Sequence, residues 1–108
     1  MIFTEKDKRV IEKFKSAVLS VDESAEIVLF GSRARGDYNE ESDYDFLILT
    51  NMEVNYLLQT KIHNQIYPIY LDDDVVLQSV VRNKIEWNGL YSVTSFFESV
   101  KEDGFKIC

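Results

Sequence analysis

Gly31-Ser32-Arg33-Ala34-Arg35-Gly36-Asp37-Tyr38-Asn39-Glu40-Glu41-Ser42-Asp43-Tyr44-Asp45 lies between two apolar runs, Ala25–Phe30 before it and Phe46-Leu47-Ile48-Leu49 after it. Both runs are short, and the first is rich in β-branched residues, so they predict two buried strands with Gly31 ending the first. Residues 33 to 42 are polar, glycine-containing and brief, which suits a surface connection. Asp43 and Asp45 stand at i and i+2 at the head of the second strand. Residues so spaced project from one face, and two carboxylates there can converge on one hard divalent cation, for which Mg2+ is the natural candidate. Gly31 lets a phosphate approach the backbone closely, and the Ser32 hydroxyl and neighbouring amides can donate to its oxygens. Arg33 or Arg35 can add charge, or can instead solubilise the loop and pair with Glu40 and Glu41. A held triphosphate, a cation and an aligned nucleophile are what phosphoryl-type transfer demands, so a nucleotide is the implied substrate.

Outward from this segment the chain alternates helix and strand signals. Thr4 and Asp7 form a capping box with Asp in place of Glu, and Val10, Ile11, Phe14, Ala17, Val18 and Val21 recur at helical spacing. Val54, Leu57, Leu58, Lys61 and Ile62 predict a second helix, and Ile66-Tyr67-Pro68-Ile69-Tyr70-Leu71 a third strand, at an edge because of Pro68. Residues 72 to 91 are compatible with helix, with Asp72-Asp73-Asp74 capping its start. Ser95 to Val100 predicts a last helix closed by Gly104. Trp87, Phe96 and Phe97 belong to the core or to a partner surface, and His63 has no second ligand at metal spacing. The expected fold is α/β or α+β, one small mixed sheet flanked by helices, in a single domain over 1–108.

Composition bounds the function. The chain is 45% hydrophobic and 13% aromatic, enough for a packed core. A net charge of -7 argues against a domain that grips nucleic acid through a basic face. Cys108 is the single cysteine, so no intrachain disulfide forms, and a reducing, cytoplasmic setting is expected. No apolar stretch approaches the ~20 residues that cross a bilayer, and the charged start is no signal peptide, so no membrane is involved.

Ten residues separate Ser32 from Asp43, and the whole segment resembles the Gly-Ser-x10-Asp-x-Asp signature of the DNA polymerase β superfamily, most closely its minimal nucleotidyltransferases. The resemblance covers essentially the full chain, including a tail, Ser95 to Gly104, similar to the Lys-Glu-Gly endings of such domains. It implies that Gly31 and Ser32 contact the triphosphate, that Asp43 and Asp45 bind magnesium, and that the reaction is nucleotidyl transfer from ATP or another nucleoside triphosphate. Some standalone members pair with HEPN-type toxins as antitoxins that add AMP to a partner tyrosine, and others are transferase subunits for small molecules. The chain departs from the pattern in one respect. Active members usually carry a third carboxylate on the next strand, whereas the strand expected at Gln65–Leu71 offers none and Asp72 lies beyond its end. Two readings follow: an enzyme that moves AMP to a protein or small-molecule hydroxyl, or a catalytically impaired relative acting as a nucleotide-binding, interaction or antitoxin subunit. Under either, so short a domain leaves little surface for the acceptor, and a second chain, a HEPN-type helical protein or another copy, is expected to complete the site.

Overall fold

The computed structural model describes residues 3–108. Helix α1 (Glu5–Val21) starts at the expected capping box, in which the Thr4 side chain accepts from the Asp7 amide and Asp7 accepts from the Thr4 amide. Its apolar stripe of Val10, Ile11, Phe14 and Val18 is buried against one face of the sheet. Strand β1 (Glu26–Phe30) runs directly into a single helical turn, α2 (Gly31–Arg35), and strand β2 (Tyr44–Thr50) returns antiparallel to β1.

Beyond β2 the chain differs from expectation. Residues 66–71 form no strand; they are the second half of helix α3 (Tyr56–Asp73), which contains Pro68. The buried residues Leu58, Ile62, Ile66, Ile69 and Asp73 recur every three or four positions, so packing on α1 follows the helical period. Pro68 is exposed, and the ring therefore faces solvent rather than the neighbouring helix. Asp72, Asp73 and Asp74 end this helix rather than capping the next. Asp74 takes the left-handed conformation at its C-cap, while buried Asp73 accepts from Arg9 and Lys13 of α1. Those two cations offset an acid placed at the unfavourable end of a helix dipole.

The third strand, β3 (Leu77–Asn83), lies inside the region expected to be helical and pairs parallel to β2. A parallel pair needs a long crossover, and α3 supplies it. A short helix α4 (Lys84–Asn88), a 3-10 turn (Leu90–Val93), helix α5 (Ser95–Asp103) and strand β4 (Phe105–Lys106) complete the order. The four strands lie in the order β3-β2-β1-β4, a mixed sheet as expected, with one further strand. Gly104 does cap α5, and its reason is space: a side chain there would collide with the Val100 carbonyl and stand 2.7 Å from Cγ1 of Val28.

The alternation of β2 separates the two layers. Tyr44, Phe46 and Ile48 join the core beneath α1 and α3, with the Phe14 and Phe46 rings stacked at 3.8 Å. Leu47 and Leu49 face the other way, onto Trp87 and Val100 with Phe96 and Phe97 at the margin, so these aromatics build a second core. Among the described residues no helix is long and apolar enough to cross a membrane.

Candidate active site

Antiparallel register sets Phe30, the last residue of β1, opposite Asp45 of β2. The chain then bends at Gly31, whose φ is +74°, a conformation open to glycine at little cost. The Asp45 carboxylate lies directly over this bend. A methyl group on Gly31 would collide with Oδ2 of Asp45 and stand 3.2 Å from its Cγ. The Gly-Ser turn and the second aspartate thus meet.

Asp43 is the residue before β2, and its charge is felt at Asp45. Burial, then the like charge of Asp43, push the Asp45 carboxyl above its ordinary value, while Arg35 works in the opposite direction. Two half-buried carboxylates that repel each other are chemically suited to a divalent cation, which relieves both the repulsion and the lost hydration. Oxygen donors of this kind fit Mg2+.

The two arginines of α2 separate. Arg33 is buried: its Nη1 donates to Asp7 at 2.7 Å, Nε to the Ser42 carbonyl at 3.0 Å, and Nη2 to the carbonyls of Asn39 and Glu40. Its guanidinium carbon sits 3.8 Å from the centre of the Tyr44 ring, a cation–π contact. These bonds make it the pin of the connecting loop. Arg35 is about half exposed, makes a long pair with Asp37 at 3.4 Å, and remains the cation nearest in influence to Asp45. Neither arginine pairs with the carboxylates of Glu40 or Glu41 among the described residues; Arg33 takes the Glu40 backbone carbonyl instead.

Two residues of this region escaped the sequence reading. Asp7, read there as a helix cap, also accepts from Arg33, from the Tyr44 hydroxyl at 2.6 Å and from the Tyr38 hydroxyl at 3.0 Å. Burial works to raise its pKa, but hydrogen bonds from Tyr44, the Thr4 amide and Tyr38 outweigh it and hold the carboxyl below the ordinary range. No local signal marks so distant a partnership. The other is Gln78 of β3, opposite Asp45 in the parallel register, whose Nε2 donates to Oδ2 of Asp43 at 3.0 Å. The sequence signal for this strand is the run Leu77 to Val81 after the acidic turn, with which the strand-like residues 66–71 compete. Strand β3 therefore carries no carboxylate, and no group of three His, Cys, Asp or Glu side chains at metal-holding range occurs among the described residues. A cleft of about 940 Å³ is lined by residues that include Lys6, Asp7, Arg33, Arg35 and Tyr38; Asp43 and Asp45 do not line it.

The mixed sheet thus sets Asp45 over the Gly31 turn of an α/β domain, with Asp43 two residues before it. The chain belongs to the nucleotidyltransferase domain family, whose model matches residues 8–103. It is similar to two proteins of Methanocaldococcus jannaschii, each named "Putative protein adenylyltransferase". One is 33% identical over 102 residues, spanning 91% of this chain and 94% of that protein. The other is 31% identical over 100 residues, spanning 91% and 95%. Among solved structures, a "putative nucleotidyltransferase" from Sulfolobus solfataricus is alike with a TM-score of 0.55 at 23% identity, over 94% of this chain and 82% of that one. A structure described as a toxin-antitoxin with AMP-PNP gives a TM-score of 0.55 at 16% identity, over 87% and 72%. Both share the fold.

Proposed function

We propose that this nucleotidyltransferase domain transfers AMP from ATP to a hydroxyl of a protein or small molecule, with Mg2+ held by Asp43 and Asp45. The observation that carries this reading is the Asp45 carboxylate lying over Gly31 with the Asp43 charge beside it. The relatives' names support both the adenylyl group and a protein acceptor.

In this reading Gly31 and Ser32 hold the triphosphate, the glycine through the bend that its positive φ allows and the serine by donating its hydroxyl. Arg35, exposed and next to the pair, adds positive charge, whereas Arg33 acts through the loop it pins. Bound Mg2+ supplies compensation for charge that develops on the phosphate oxygens. The acceptor hydroxyl releases its proton to solvent, its oxygen bonds to the α-phosphorus, and the bond from that phosphorus to pyrophosphate breaks. A second chain, HEPN-type or another copy, is expected to present the acceptor, in a cytoplasmic setting.

A second reading is favoured by one observation: β3 sets an amide, Gln78, where an acid would face Asp45. In that reading the domain binds nucleotide and serves as an interaction or antitoxin subunit. The discriminating assay incubates the chain and a candidate partner with labelled ATP, GTP, CTP or UTP and Mg2+, comparing wild type with Asp43→Ala and Asp45→Ala. Carboxylate-dependent label transfer supports the enzyme. Nucleotide binding without transfer supports the subunit.

A further inference from the structure

Three side chains close the open end of the sheet on the Leu47 face: Asp43, Asp45 and Gln78. The third is the informative one. A carboxylate only accepts hydrogen bonds, so the atom of Gln78 at 3.0 Å from Oδ2 of Asp43 is the amide nitrogen, and the chemistry fixes the orientation of the amide. One oxygen of Asp43 is thereby held by a neutral donor. That hydrogen bond takes up part of the oxygen's acceptor capacity, and the amide brings no compensating negative charge.

We propose that Gln78 is a positioning residue that limits the site to one divalent cation, by tying down one oxygen of Asp43 and withholding a third negative charge. The inference rests on the reading of Asp43 and Asp45 as metal ligands. Two carboxylates balance one divalent ion, and the excess charge of a second ion finds no protein partner among the described residues near them. The parallel register makes the position responsive: residue 78 faces Asp45 directly, so an acid there joins the cluster rather than pointing away. Gln78 is exposed, so replacing it leaves the core untouched.

The test counts ions without relying on turnover. The full chain is titrated with Mn2+ in the absence of nucleotide and followed by electron paramagnetic resonance, for wild type, Gln78→Glu, Gln78→Asp and Asp45→Asn, each checked for an unchanged melting transition. Wild type is expected to bind one Mn2+ and Asp45→Asn to lose it. At least one acidic variant is expected to bind a second ion, seen as spin–spin broadening. Two ions on wild type, or acidic variants that still bind a single ion, overturn the role of Gln78 while leaving the metal reading intact. No Mn2+ on wild type overturns the metal reading itself, and this inference with it.

Discussion

At the level of single residues, the site is organised by contacts that leave few substitutes. Gly31 is required twice over, by its positive φ and by the Asp45 carboxylate that occupies the place of a side chain. Gly31→Ala is therefore expected to displace Asp45 and to cost roughly 1–3 kcal/mol of stability, read from the urea midpoint. Asp7 and Arg33 form the other fixed point. Their side chains are only 4% and 5% exposed, and the pair joins the start of α1 to the loop that leads into Asp43. Asp7→Ala leaves a buried guanidinium with no counter-charge, a change expected to destabilise the fold by about 3 kcal/mol. Replacing both residues with apolar ones should recover part of that loss in a double-mutant cycle, because the uncompensated charge is then gone. A loss in the double variant as large as the sum of the two single losses would show that the pair acts through something other than its charges.

At the level of elements, what could be read from the sequence stopped where local pattern and tertiary packing disagreed. The α1, β1 and β2 segments carry one period each, and the Gly-Ser to Asp-x-Asp spacing lies wholly between adjacent strands, so fold class and candidate site were both legible there. In α3, Tyr67, Pro68 and Tyr70 look like an edge strand, yet Leu58, Ile62, Ile66 and Ile69 must all reach α1. The helix wins because four buried side chains outweigh one poor helix former. Pro68→Ala is accordingly expected to stabilise the protein, by up to about 3 kcal/mol, since the ring lacks an N–H and crowds the preceding turn. An unchanged or lowered denaturation midpoint would show that the proline is accommodated by more than its exposure. The junction of α1 and α3 also predicts a pH response. Hydrogen bonds from Lys13, opposed by burial and aided by Arg9, hold the Asp73 carboxyl below its ordinary value. A lowered folded-state pKa adds stability that is fully present above the unfolded value, about 4, and is lost as pH falls through the folded one. Wild type should thus exceed Asp73→Asn in stability near neutral pH, with the gap closing below about pH 4, as urea titrations at several pH values would read. A gap that persists undiminished at pH 2 would place the effect elsewhere.

For the molecule as a whole, charge governs how a nucleotide can arrive. The chain carries a net charge of -7, and the candidate site gathers two of its carboxylates side by side. Free ATP is strongly anionic, so the body of the protein and the site both repel it, and Arg35 is the cation whose charge is felt at Asp45 among the described residues. In the proposed reading, arrival as a metal complex would reverse the local balance, because the ion that reduces the charge of the phosphates would be attracted by Asp43 and Asp45. Calorimetric affinity for ATP should therefore fall by at least about tenfold when divalent ions are removed with EDTA. Salt separates the two contributions. Repulsion by the distant charges is screened over roughly 10 Å at 0.1 M ionic strength, whereas direct contact between a cation and the carboxylates is screened much less. Raising salt should improve binding of metal-free ATP modestly without bringing it level with the metal complex. Equal affinity with and without divalent ions, at any salt concentration, would mean that the triphosphate is held without the aspartates, and the acidic character of the chain would then need another purpose.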